Sequence, residues 1–161
     1  MSETTSVLKQ LRSLGNPRAL QGRSRYGINS RDAYGVRIPA LRKMAKALGK
    51  NHALALELWT SGVHEARILA SMVDDPACVT KRQANRWCKQ FNSWDVCDQV
   101  CLNLFSHTEF ACSKCEEWSS SKDAFVKRAA FALIACLAVG DKEMPDMKFV
   151  PFLRLIERES L

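Results

Sequence analysis

Apolar residues recur at three- and four-residue spacing through most of the chain from residue 39 to 157, with few β-branched runs. That spacing lays an apolar stripe along an α-helix. Glycine and proline, which interrupt helices, are concentrated in the first third. The pattern predicts an all-α chain. A first helix covers "TSVLKQLRSL", a turn-rich basic stretch "GNPRALQGRSRYGINSRDAYGVRI" follows, and a second helix starts at "IPALRKMAKALGK". Pro39 suits the first turn of that helix and Gly49 its end.

From residue 51 the pattern repeats. Three tryptophans close successive helix-like segments, "NHALALELW" at Trp59, "TKRQANRWCKQF" with Trp87 and "TEFACSKCEEW" at Trp118, at intervals of 28 and 31 residues. Each is followed by a second helix starting near "HEARILASMV", "SWDVCDQVCLNLF" and "KDAFVKRAAFALIACLAV". Helix, turn, helix, three times over, is the signature of an α-solenoid of stacked antiparallel pairs, an α-α superhelix. Because the three tryptophans recur at one position of each unit, they read as packing between repeats rather than as base-stacking groups.

The second helices share another register. Arg67, Asp98 and Arg128 stand 31 and 30 residues apart, so stacked repeats would set them in a row. A carboxylate in a basic row weakens the attraction for phosphate, so Asp98 asks for a chemical reason. Trp94 precedes it by one helical turn on the same face. Ser93 and Asp95 suit an N-cap and a first turn, whereas Asp98 lies beyond any capping role.

Composition narrows the partners. Lysine and arginine outnumber acidic residues 24 to 17, a formal charge of +7 in 161 residues, which points to a polyanion. The N-terminus "MSETTSVLKQLRSLG" has no apolar signal-like core, and no stretch approaches the roughly 18 apolar residues of a membrane span. A cytoplasmic location without membrane attachment is expected. Seven cysteines, an odd number lying mostly in apolar helical patterns, argue for a reducing compartment. "CSKC" at Cys112 and Cys115 has zinc-like spacing, but the nearby Cys97 and Cys101 sit on a predicted helix beside core leucines, so no metal is assigned. His52, His64 and His107 have no nucleophile at a recognisable spacing and receive no role. "GRSRYGINSR", basic with one aromatic, fits a nucleic-acid contact or a solvated loop equally well.

The stretches "YGVRIPALRKMAK", "LALELWTSGVHEARILA", "SWDVCDQV" and "EWSSSKDAFVKRAAF" resemble, in order and spacing, the bacterial DNA alkylation repair enzymes. These are AlkD-like alkylpurine DNA glycosylases built from HEAT-like repeats. The resemblance covers about residues 25 to 139 and implies one HEAT-like repeat domain over residues 1–161. It implies excision of positively charged bases such as 3-methyladenine and 7-methylguanine from double-stranded DNA, with no cofactor. The family's catalytic Trp and Asp, in a W-D-x-x-D stretch, fall here on Trp94 and Asp98. Its backbone-holding Arg falls on Arg128, and Arg67, Lys127 and Arg37 complete the expected DNA-binding set.

A cationic purine is already a good leaving group, so Asp98 would stabilise the developing oxocarbenium-like sugar and orient water. Trp94 would stack on that sugar as its charge grows. The rival reading is a non-catalytic helical-repeat module that binds nucleic acid or protein. The family's further aromatic, in a helix of the next repeat, has no counterpart before Leu161. A shortened C-terminus with lowered activity is therefore expected, and the apolar residues of "FVPFLRLIERESL" predict an exposed patch and self-association through the last helix.

Overall fold

The computed structural model describes residues 2–24, 32–140 and 145–160. Among the described residues the regular structure is entirely helical, as the periodicity requires. The chain divides into two compact units, Met1–Cys78 and Val79–Leu161.

In the first unit, α1 (Glu3–Ser13) starts two residues ahead of the expected helix, because Ser2 caps it by accepting a hydrogen bond from the Thr5 backbone. The stretch expected to be turn-rich contains α2 (Pro17–Ser24). Asn16 accepts from the Arg18 N–H at 3.0 Å and Pro17 opens the helix, a start signal hidden among turn-forming residues. Of the basic aromatic stretch at 22–31, residues 22–24 belong to α2 and residues 25–31 lie outside the described residues.

Helix α3 (Ile38–Leu48) carries Pro39 in its first turn and ends at Gly49, whose φ of 70° is costly for other residues. Helices α4 (His52–Thr60) and α5 (His64–Val73) form the first Trp-marked pair, and α5 also packs on α3. Their facing stripes bury Leu41, Leu54, Leu58, Trp59, Ile68 and Leu69.

A buried carboxylate joins the entry loop to this pair. Glu65, in the first turn of α5, accepts backbone hydrogen bonds from Tyr34, Gly35 and Val36 at 2.9, 2.8 and 3.2 Å. These bonds satisfy a charge that would otherwise be costly to bury. Gly35 has φ +81°, and a Cβ there would stand 2.3 Å from the Asn16 carbonyl oxygen, so this close approach needs glycine.

The second unit contains α6 (Lys81–Cys88), α7 (Trp94–Asn103), α8 (Ala111–Ser119), α9 (Ala124–Gly140) and α10 (Val150–Glu159). Thr80 caps α6 and Asp123 caps α9 by accepting from the Phe125 and Val126 amides. The long α9 packs on both α7 and α8, and α10 packs on α8. Small residues on α9, Ala129 and Ala130, are fully buried, letting α7 approach closely. The apolar patch expected on the last helix is present: Phe152 and Leu155 face inward, while Val150, Leu153 and Ile156 are exposed.

Trp59, Trp87 and Trp118 are 3%, 1% and 4% exposed, the core positions their periodicity predicted. No helix among the described residues is long and apolar enough to cross a membrane.

Candidate nucleic-acid site

Helix α7 begins at Trp94, with Ser93 at its N-cap position. The Ser93 hydroxyl donates to the Asp95 carboxylate, which also accepts from the Val96 N–H at 3.0 Å. Asp95 is thus occupied with its own helix start. One turn on, Cys97 and Cys101 are fully buried and their thiols point at the Phe125 and Ala129 carbonyls of α9, at 3.8 and 3.6 Å. Two small side chains one turn apart bring α7 and α9 together beside Asp98.

That approach creates the site. The Arg128 guanidinium grips Asp98 with two bonds, Nε to Oδ1 at 2.9 Å and a terminal nitrogen to Oδ2 at 2.8 Å. The same guanidinium lies 5.7 Å from the centre of the Trp94 ring. Its bonds to Asp98 raise the Arg128 pKa above the ordinary value, against a smaller desolvation effect. The cluster is open: Trp94 is 38% exposed, and the Asp98 and Arg128 side chains are 35% and 46% exposed. A half-exposed pair of this kind holds with about 1 kcal/mol even in bidentate geometry, so a competing anion can open it. A cleft of about 470 Å³ at α10, lined by Met147, Val150 and Phe152 among others, shares no residue with this cluster.

The other expected DNA contacts lie in different settings. Lys127 donates to Glu159 of α10 at 2.6 Å, and Arg158 donates to the same carboxylate at 2.8 Å. Arg37 is exposed at the N-cap of α3, where its side chain makes no capping bond. Arg67, in the first unit, stacks 5.2 Å above the buried Trp59 ring. Desolvation lowers its pKa, partly opposed by the Asp32 charge.

The cysteines behave as core groups. Burial pushes the Cys115 thiol up to about 12 and raises Cys88 and Cys136, while Cys101 is raised first by its hydrogen bond to Cys97, so these thiols are poor nucleophiles. Cys112 is exposed and Cys115 buried, so the two residues of "CSKC" face different environments. Among the described residues no group of three His, Cys, Asp or Glu side chains is arranged to hold a metal ion.

Sequence reasoning passed over one polar network. Lys114 is nearly fully buried and donates to Asn85 of α6 at 2.8 Å, while the Trp118 indole N–H donates to the same oxygen at 3.1 Å. Lys114 also pairs with Glu117. A lysine placed in the apolar stripe of "ACSKCEEW" is the signal that could have found it.

An exposed indole, a carboxylate and an arginine meet on two packed helices, and the sequence profile of the DNA alkylation repair enzymes matches residues 7–159. The chain belongs to that family. A comparison with curated proteins gave no match. A solved structure superposes with a TM-score of 0.87 at 22% identity, covering 98% of this chain and 67% of that one. It is described as a new family of proteins related to the HEAT-like repeat DNA glycosylases with affinity for branched DNA structures. The likeness establishes the HEAT-like repeat fold.

Proposed function

We propose that this family member excises cationic alkylated purines, such as 3-methyladenine and 7-methylguanine, from double-stranded DNA. The observation that carries the reading is the convergence of Trp94, Asp98 and Arg128 on one open surface. Hydrolysis of the N-glycosidic bond releases the base as a neutral molecule, so no general acid is needed. Positive charge then grows on the sugar. Asp98 stabilises that charge and orients the attacking water, and the Trp94 face adds an attraction that strengthens as the charge develops. Water completes the exchange at the sugar carbon, with no enzyme nucleophile and no strand cleavage.

Arg128 has two tasks in this scheme. Free of DNA, its fork occupies both Asp98 oxygens. A backbone phosphate competes for the same fork with the same bidentate geometry, and its arrival turns Asp98 toward the sugar. Arg67, Lys127 and Arg37 serve as further backbone contacts, with Lys127 leaving Glu159 to do so. Because the cluster is open, selectivity comes from the instability of cationic adducts, and neutral lesions are poor substrates.

A second reading is supported by the same ion pair. A carboxylate held at both oxygens suits a non-catalytic DNA-binding protein, and the structural neighbour is described by its affinity for branched DNA structures. Base release from 7-methylguanine DNA separates the two. The first reading expects release by the wild-type protein and a loss of at least about 100-fold in Asp98→Asn, with duplex affinity retained or raised because Arg128 is freed. Absence of release by the wild type, with tighter binding to a four-way junction than to linear duplex, establishes the second.

A further inference from the structure

Helix α6 carries a charged surface for which the Trp94–Asp98–Arg128 cluster has no use. Its inner face buries Gln83, Ala84, Trp87 and Cys88. Its outer face exposes Lys81, Arg82 and Arg86, continued by Lys89 just beyond its end. Their side chains make no ion pair or hydrogen bond among the described residues. No acidic residue occurs between Asp75 and Asp95. Four positive charges without an ion-pair partner stand on one short segment, with Glu117 of α8 the acidic residue that shares a cleft with Lys89.

The corresponding leading helices of the other pairs show that this charge is not a general feature of solvent-facing surfaces here. Helix α4 exposes Glu57 and has no lysine or arginine; α8 exposes Glu116 and Glu117 and buries its single lysine, Lys114. Only α6 among the three is a cationic ridge. From Lys81 to Lys89 a helix rises about 12 Å, and a DNA strand presents a phosphate about every 3.4 Å along the duplex axis, so three to four phosphates lie within that length. The ridge exposes no large apolar side chain, which disfavours insertion into a lipid surface.

We propose that α6 is a second DNA-backbone surface, tracking the phosphates of a duplex segment outside the Trp94–Asp98–Arg128 cluster. This adds to affinity without taking part in base release, and it rests on the reading that DNA is the substrate. Lys81→Gln, Arg82→Gln, Arg86→Gln and Lys89→Gln combined place a good helix former at each site, so the fold should persist. The expected result is a loss of duplex affinity of at least about tenfold, with the slope of log affinity against log salt shallower by about two to four units. Base release at saturating DNA stays unchanged.

Exchanging each lysine for arginine and each arginine for lysine keeps the charge and should keep affinity and slope, which separates electrostatics from a folding defect. Unchanged affinity and slope in the glutamine variant overturn the inference. So does a variant that loses binding to phosphatidylserine vesicles while holding DNA as before. A wild-type protein that binds duplex through α6 yet releases no base overturns the glycosylase reading alone.

Discussion

Two arginines stack on two tryptophans in this chain, and their surroundings make them different groups. Arg67 lies 5.2 Å from the Trp59 ring and Arg128 lies 5.7 Å from the Trp94 ring. Trp59 is buried and Trp94 is 38% exposed. Desolvation lowers the Arg67 pKa, whereas bonds to Asp98 raise that of Arg128. The first pair closes a core edge; the second leaves an aromatic face, a carboxylate and a displaceable cation open to a ligand. What distinguishes them is where the indole stands. Trp59 lies in the last turn of a leading helix and is buried, while Trp94 is the first residue of α7 and keeps part of its ring open to solvent.

The largest effect that would break this contrast is truncation of the indoles. Trp59→Ala should destabilise the protein by about 3 to 5 kcal/mol, the cost of an aromatic-sized cavity. Trp94→Ala should cost under about 1 kcal/mol, typical of an exposed site. Base release at saturating DNA should instead fall about 10- to 100-fold as the attraction to the developing cation is lost. Thermal melts and single-turnover release read the two quantities separately; equal destabilisation by both substitutions would erase the distinction.

A smaller effect sharpens it. Arg128→Ala should weaken binding to all duplex sequences and reduce the salt slope by about one unit, as for one phosphate contact. Arg67→Ala should lower the melting temperature, since it uncovers the Trp59 ring, and change the slope less than Arg128→Ala does. Titrations across salt concentrations check both, and a larger slope change from Arg67 would make it the principal backbone contact.

The repeat was legible because both members of each helix pair bury an apolar stripe, and several of the helices carry clear start or stop signals. Asn51, Thr80 and Gly49 stand where the helices start or stop. Helix α2 was not, since Asn16, Pro17 and Gly22 are turn formers as well as helix starters. In the site, the 30-residue register placed Asp98 and Arg128 at equivalent positions, but register gives neighbouring positions and not side-chain pairing. The bidentate bond depends on how closely α7 and α9 approach, which Cys97, Cys101 and Ala129 decide. The partial burial of Arg67 was illegible for a related reason: it shares residue type and register with Arg128, and its covered Trp59 and nearby Asp32 change its environment. Lys127 illustrates the same limit, because its partner Glu159 lies 32 residues away on a helix outside the repeat register.

Lys127 and Arg128 are neighbours on α9 that answer to different acids, and acidification tests that division with the smallest effect. Hydrogen bonds from Lys127 and Arg158 hold the Glu159 carboxyl below its ordinary range. A folded-state pKa below the unfolded value, about 4.3 for glutamate, means the pairing contributes its full stability above that pH. The contribution is lost as pH falls through the lower folded value. In Lys127→Gln the main cation is gone, so the folded value moves back toward the unfolded one. The bond from Glu159 to α9 goes with it, because the remaining partner Arg158 lies on α10 itself, so α10 should lose most of its acid-dependent loosening. Amide exchange of α10, normalised to α9 at each pH between about 6 and 3, reads this directly. The expected outcome is an α10 that already exchanges faster at about pH 6, with a flattened pH response, in Lys127→Gln, and an unchanged transition in Arg128→Gln, since Arg128 answers to Asp98. The same flattening in Arg128→Gln would show that the two cations act as one network, with the open site and the last helix coupled through α9.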